Sequence, residues 1–558
     1  MIRTTYLVTA MAALAFCVPG LAEHVKIARD LEGVDPEATV DVIVQFKRAP
    51  GPQHHQKILQ MGGAHQAPLH LVKGAVYSLP AGKLAELADD PDVAYISPDR
   101  PVNATATPTV FDYKLQAVNA DIAQKYGWNG AGIGVAIIDS GIADRPDLHG
   151  PHGFRVVYTQ NMITGGGATD AYGHGTHVAG IVGSTGGQSQ GVYAGVGPNV
   201  NLINLLVLDK TGAGTDSTAI AAINRAIQLK SQYNIRVMNL SLGRPVFESY
   251  KLDPLCQAVE AAWKAGIVVV VAAGNEGRNN TSGTNGYGTI SVPGNDPYVI
   301  TVGAMKTLGT AGRGDDLISS YSSKGPTLLD HVVKPDLVAP GNRLVSVLSP
   351  GPLGTQYKGN ATDSAYFILS GTSMAAPMVS GAAALLLQQN PNLTPDQVKA
   401  RLMKTASKSF PASSIATDPV TGQMFTSQYD IFTVGAGYLD VWAALNNSDA
   451  AAGSAISPTA VYNAASHNVY LVNTPSVGGS NALWGTNALW GTAAVWGTSV
   501  FVSGNNALWG TNALWGTNAL WGTSSLGGFN ALWGTNALWG TSTTPASEAV
   551  SLLINGEN

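Results

Sequence analysis

The chain has 558 residues, enough to bury several cores, and is 45% hydrophobic but only 12% charged. Its net charge of -5 lacks the basic excess that nucleic-acid binding needs, which argues against nucleic acid as a main partner. Few charges and 65 glycines fit an extracellular style of surface with many tight turns.

Residues 1–22 read as a secretory signal, with Arg3 as the positive start, an apolar core over 7–18 and Gly20-Leu21-Ala22 before a cut. The apolar run is short for a bilayer span; an N-terminal membrane anchor is the alternative. Localisation is therefore expected to be secreted, extracellular or cell surface. Cys17 lies inside this segment, so the remainder holds one cysteine, Cys256, and no internal disulfide. Cys256 opens a helical stretch and reads as a small buried residue.

Residues 23–102 form a compact segment with strands predicted over 41–46, 72–79 and 91–97 and helices over 54–61 and 83–88, a small α+β domain. The small, uncharged stretch 103–109 reads as an exposed linker and cleavage site. From 110 to 446 strands alternate with helices. Strands are predicted at 133–138, 202–208, 236–242, 267–273, 299–303 and 337–339, and helices at 176–183, 216–232, 254–264, 378–389 and 395–405. Repeated β-α-β order with apolar strands means an α/β fold, a parallel sheet with helices on both faces. A linker is expected over 447–480.

Between Ala450 and Ser547 there is no Asp, Glu, Lys or Arg. Within that tract, residues 481–541 repeat the hexad Asn481-Ala482-Leu483-Trp484-Gly485-Thr486, and eight of the 11 tryptophans lie there. A period of six places equivalent residues on one face of extended chain, which favours a stacked or self-associating β layer over a disordered tail. Residues 542–558 are a C-terminal tail.

The chemistry gathers in three motifs. Val135-Ala136-Ile137-Ile138-Asp139-Ser140-Gly141 puts an acid at the C-terminal end of a buried strand, where open α/β sheets gather ligands. Gly173-His174-Gly175-Thr176-His177 puts a histidine at a helix start. Ser370-Gly371-Thr372-Ser373-Met374-Ala375 puts a serine where a long apolar helix begins. That position suits a helix cap, and it equally suits a nucleophile whose developing charge meets unpaired N–H groups. Acyl transfer needs a nucleophile, a base and an acid that orients the base, and the motifs supply one of each. The two histidines could also suggest a metal site, but no Glu or Cys stands at ligand spacing.

The order Asp…His…Ser and the motifs around it resemble the subtilisin-like serine proteases over about residues 110–446. The resemblance implies an α/β subtilisin-like fold and a secreted serine endopeptidase, with Asp139 orienting, His174 as base, Ser373 as nucleophile and Asn275 of Ala273-Gly274-Asn275-Glu276-Gly277 as oxyanion donor. It implies that Ser241-Leu242-Gly243 and Gly212-Ala213-Gly214 are two edges that pair with extended substrate backbone. Ala272, Ala273, Gly274 and Gly294 would line the pocket for the side chain before the cut bond. No cofactor is expected for the chemistry. Structural calcium is implied, with Asp147 as one ligand, although the loop 187–196 departs from the family pattern. Residues 23–102 resemble the family's prodomain, so the expected partners are protein or peptide substrates and the chain's own prodomain as inhibitor. Two rival readings are a surface or matrix protein built on the Trp repeats, whose protease serves maturation, and an inactive peptide-binding relative.

Overall fold

The computed structural model describes residues 26–31, 34–36, 38–103, 112–151, 153–163, 167, 169–280, 284–418, 422–449, 453–463, 468–472, 502–503 and 556–557. The expected signal (1–22), the hexad repeats (481–541, apart from 502–503) and most of the linker 103–109 lie outside these residues.

The N-terminal unit is an antiparallel sheet of β1 (Thr39–Phe46), β2 (Ala64–Leu69), β3 (Gly74–Pro80) and β4 (Val93–Pro98) in the order β2-β3-β1-β4. Helices α1 (Pro52–Gln60) and α2 (Leu84–Ala88) cover it. Alternation along β1 explains its two-sided burial. Val42, Val44 and Phe46 enter the unit's own core with Ile58 and Leu87, whereas Ile43 joins Val76 and Leu69 in the main core. The expected strand 72–79 starts at Gly74, after a 3-10 turn over His70–Val72. Strand β2 was not foreseen, because its sequence AHQAPL carries Pro68 and few β-formers; it is an edge strand, where proline is tolerated. A short strand β5 (Pro101–Asn103) leaves the unit.

The larger unit is built on β6 (Gly134–Asp139), β7 (Val156–Asn161), β8 (Asn201–Leu206), β9 (Ala213–Thr215), β10 (Ile235–Leu240), β11 (Val268–Ala272), β12 (Ile300–Lys306) and β13 (Leu337–Pro340). All but β9 form one parallel sheet in the order β12-β11-β10-β6-β8-β7, with β13 also parallel to β12; the short strand Leu317–Ile318 adds the antiparallel edge. The central strands are buried along their whole length, as expected of a parallel sheet covered on both faces. One helical layer holds α3 (His174–Gly183) and α6 (Thr372–Gln389); the other holds α4 (Asp216–Tyr233) and α5 (Pro254–Lys264). Helix α7 (Pro395–Thr405) is capped by Thr394, whose hydroxyl accepts from the Gln397 N–H. The N-terminal sheet lies against α4 and α5, and Gln45 donates to Gln257 across the contact (3.1 Å).

Helix α6 starts six residues before the predicted 378 and contains Pro377. An interior proline removes the N–H that would bind the carbonyl four residues back, here that of Ser373. That carbonyl instead accepts the Ser241 hydroxyl (2.8 Å), so the helix runs through the proline with its acceptor satisfied.

The chain's last described residues return to this unit. Glu557 is buried, accepts from the Ser320 N–H (2.7 Å), pairs with Arg278 (3.3 Å), and exchanges two backbone bonds with the Asn342 side chain.

Candidate active site

Asp139 is the last residue of β6 and His174 the first of α3. His174 Nδ1 lies 2.8 Å from Asp139 Oδ1, and both side chains are buried. Oδ1 also accepts the Ser140 N–H (2.7 Å), while His174 Nε2 makes no hydrogen bond. Two glycines allow this approach. Gly173 caps α3 at φ 113°, a left-handed conformation that side chains disfavour. A Cβ on Gly175 would stand 2.2 Å from the Gly141 carbonyl oxygen and 3.1 Å from the Asp139 Cβ.

Asp170, which the sequence reading missed, joins these two motifs. Its carboxylate accepts Ser140 Oγ (2.9 Å) and the N–H groups of Tyr172 (3.1 Å) and Gly173 (2.7 Å) through Oδ1. Through Oδ2 it accepts the N–H (2.9 Å) and hydroxyl (2.6 Å) of Thr176. Ser140 Oγ in turn accepts the Gly175 N–H (2.9 Å). Burial pushes the Asp170 carboxyl above its usual range, against the pull of these donors. Its signal in the sequence is an aspartate just before a helix start, a pattern common enough in loops to pass unnoticed.

His177, one turn along α3, faces the other way. Its Nε2 lies 3.0 Å from the Phe367 carbonyl and 3.2 Å from that of Leu344. Burial, and then the neighbouring His174, push its pKa down to about 3, so it is a neutral structural side chain at physiological pH.

Ser373 sits in the first turn of α6, behind a Gly371 cap, so it is within the helix and does not cap it. First-turn N–H groups have no partner inside their helix, which leaves the Ser373 N–H available to an anion. The Ser373 hydroxyl donates to the Ser241 carbonyl (3.2 Å) and not to His174. Contacts between a hydroxyl and a histidine in a catalytic site are commonly loose until substrate binds. Behind the serine runs a chain of bonds: Ser380 Oγ donates to Asn239 Oδ1 (2.8 Å), Asn239 Nδ2 to Ser241 Oγ (2.9 Å), and Ser241 Oγ to the Ser373 carbonyl.

Asn275 follows β11. Its Oδ1 accepts both the N–H (2.9 Å) and the hydroxyl (3.0 Å) of Thr372, next to Ser373. The Thr372 hydroxyl accepts the Gly274 N–H (3.1 Å). With its oxygen tied to the start of α6, the Asn275 amide NH2 is the end left to donate.

The predicted substrate residues fall around this centre. Ser241 and Leu242 are buried at the end of β10, and Gly243 leads to Arg244, which exchanges backbone bonds with Val292. Gly212 closes the turn before β9 at φ 78°. Ala213 and Gly214 pair antiparallel with the chain's own β5, Ala213 opposite Asn103 and Gly214 opposite Val102. Ala272 and Ala273 are buried, Gly274 adopts φ 106°, and a Cβ on Gly294 would meet the Ala272 carbonyl at 3.1 Å.

Asp147 is buried and surrounded by donors: the Gln188 N–H (2.9 Å), Ser184 Oγ (3.3 Å) and the Tyr366 hydroxyl. These contacts occupy both of its carboxylate oxygens. Among the described residues, no three His, Cys, Asp or Glu side chains gather as a metal site. Cys256 is fully buried, donates to Asn295 Oδ1 (3.2 Å), and has its thiol pushed well above the usual range by burial, as an inert packed residue. No helix among the described residues is long and apolar enough to cross a membrane.

Comparison with known proteins identifies the family. The model of the subtilase family matches residues 130–430. The serine protease AprX of Bacillus subtilis is 43% identical over 288 residues, which span 50% of this chain and 62% of that protein. Subtilisin E of the same organism is 35% identical over 369 residues, 65% of this chain and 84% of subtilisin E. Among solved structures, fervidolysin from Fervidobacterium pennivorans, described as a keratinolytic enzyme related to subtilisin, aligns with a TM-score of 0.56. That alignment covers 77% of this chain and 64% of fervidolysin; at 21% identity it speaks for the fold alone.

Proposed function

Because this chain belongs to the subtilase family and is a subtilisin-like serine endopeptidase, we propose that Ser373, His174, Asp139 and Asn275 carry the hydrolysis. The observation that carries this reading is the buried 2.8 Å bond from Asp139 to His174 Nδ1, with Nε2 left unbonded. Asp139 holds the imidazole in the tautomer whose Nε2 accepts a proton. Ser373 Oγ turns from the Ser241 carbonyl toward Nε2, gives up its proton there, and attacks the peptide carbonyl carbon. The oxyanion meets the Ser373 N–H and the Asn275 amide. The C–N bond breaks as His174 returns the proton to the leaving amine. Water, activated by the same histidine, then hydrolyses the acyl-enzyme.

Residues 23–102 act as an inhibitory prodomain. Support comes from β5, which occupies the β9 edge as a substrate strand would, in antiparallel register. Maturation then removes residues up to the linker 103–109. The apolar start of the sequence supports export, and the enzyme works outside the cell.

The test is Ser373→Ala expressed beside wild type. The variant is expected to retain the N-terminal segment and to leave casein intact. Processing and caseinolysis at wild-type rates in the variant would overturn the assignment.

A further inference from the structure

Arg100, the residue before β5, is held by a side-chain cluster between the two units. Its Nη1 and Nη2 each donate to one oxygen of Glu248 (2.6 Å both), and its Nε and Nη2 reach the two oxygens of Asp30 (2.9 and 3.0 Å). The guanidinium lies 5.0 Å from the Phe247 ring centroid and is only 3% exposed. The Arg100 carbonyl accepts the Asp216 N–H (2.7 Å), so the ladder of β5 with β9 extends back to Arg100 itself. Arg100 is therefore placed by backbone pairing that any extended peptide can reproduce.

The two carboxylates around Arg100 differ in origin. Asp30 belongs to the N-terminal unit and leaves with it. Glu248 belongs to the catalytic unit and stays. The nearby cation of that unit, Arg244, is already committed to Asp216 (2.9 Å) and Asp253 (2.7 Å). Glu248 pairs with Arg100 at 2.6 Å, so it loses that partner when the N-terminal segment departs. A carboxylate beside an aromatic ring, at the end of a substrate-binding edge, is a receptor for a guanidinium.

We propose that Glu248, with Phe247, forms an arginine-selective subsite of the mature protease, which reads a basic residue immediately upstream of the strand-paired part of the substrate. The inference rests on the reading of β5 as occupying the substrate edge. In that reading the cut lies beyond Asn103, so the recognised residue stands at least four positions before the bond that breaks. A bidentate pair at a site that becomes partly wet supports on the order of tenfold selection for arginine over glutamine.

The test uses the mature enzyme, freed of its N-terminal segment and with the rest of the chain intact, and peptides of one sequence in which a single arginine is walked through the positions before the cut. The expected result is a peak in kcat/KM at one position, four or more residues upstream, of about tenfold over glutamine there. In Glu248→Gln the arginine-to-glutamine ratio at that position falls to about one, and in Glu248→Lys glutamate is preferred over arginine. A flat arginine walk with wild type overturns the proposal without any variant. So does a peak whose height is the same in Glu248→Gln; and if that variant does not mature, Glu248→Asp, which keeps the charge, is expected to keep a reduced peak. Failure to cleave any peptide of the series, including those too short to reach Glu248, would instead count against the protease reading.

Discussion

Asp170 touches no reacting atom, yet its removal should disable the site. Replacing it with alanine strips an acceptor from three backbone N–H groups, those of Tyr172, Gly173 and Thr176, and from the hydroxyls of Ser140 and Thr176. The hydroxyls can turn to other acceptors; the N–H groups are fixed at the start of α3. An orphaned buried donor costs about 1–3 kcal/mol, and a water entering the vacated space recovers part of it, so we expect a loss of about 3–5 kcal/mol. That is a large part of the roughly 5–15 kcal/mol that holds a domain folded. The measurement is urea unfolding in a Ser373→Ala background, which prevents self-digestion. A second readout is kcat of the otherwise active variant. Losing the clamp frees α3 and Ser140 to shift, and a displacement of about 1 Å at the base costs on the order of 100-fold. Asp170→Asn, which keeps shape and one acceptor, should fall between wild type and alanine in both. A stability change under about 0.5 kcal/mol, the level of an ordinary surface substitution, would refute the reasoning.

Two further outcomes follow from the same helix. Gly175→Ala places a methyl 2.2 Å from the Gly141 carbonyl, so α3 must move away from β6; peptide hydrolysis should drop by about 100-fold with about 1–3 kcal/mol lost in stability. Activity within a few-fold of wild type would show that the two segments can separate without harm. His177 has a folded pKa of about 3 against 6.5 in the free state, so the unfolded chain binds the extra proton between those values. Stability from this group is therefore complete above about pH 6.5 and is lost as pH falls, with a slope approaching 1.4 kcal/mol per pH unit. Chemical unfolding of Ser373→Ala at stepped pH, beside a His177→Gln partner, should show the steeper acid loss only with the histidine.

Much of the centre was legible because its signals are local. Asp139 ends an apolar strand and His174 sits between glycines, so two short motifs were enough to suggest the contact the fold makes between them. The start of α6 was misread for a physical reason: Pro377 signals a boundary, and only the distant Ser241 hydroxyl satisfies the carbonyl it leaves open. Strand β2 was hidden by Pro68, which an edge position accommodates. Asp170 and Glu248 draw their meaning from partners brought close by the fold; Glu248 meets Arg100 across 148 positions of sequence. No local pattern marks such a pair.

Glu557 bears on how the Trp-rich tract can be studied. The catalytic unit grips the chain at residues 453–463 and again at Glu557, which offers its carboxylate to Arg278 and the Ser320 N–H. A truncation before the hexads would remove more than the repeats. It would also leave Arg278 and a backbone donor facing an empty socket, and any loss of proteolysis would be ambiguous. An internal deletion of 481–541 keeps the terminal anchor, and so separates what the repeats do from what the last residues hold in place.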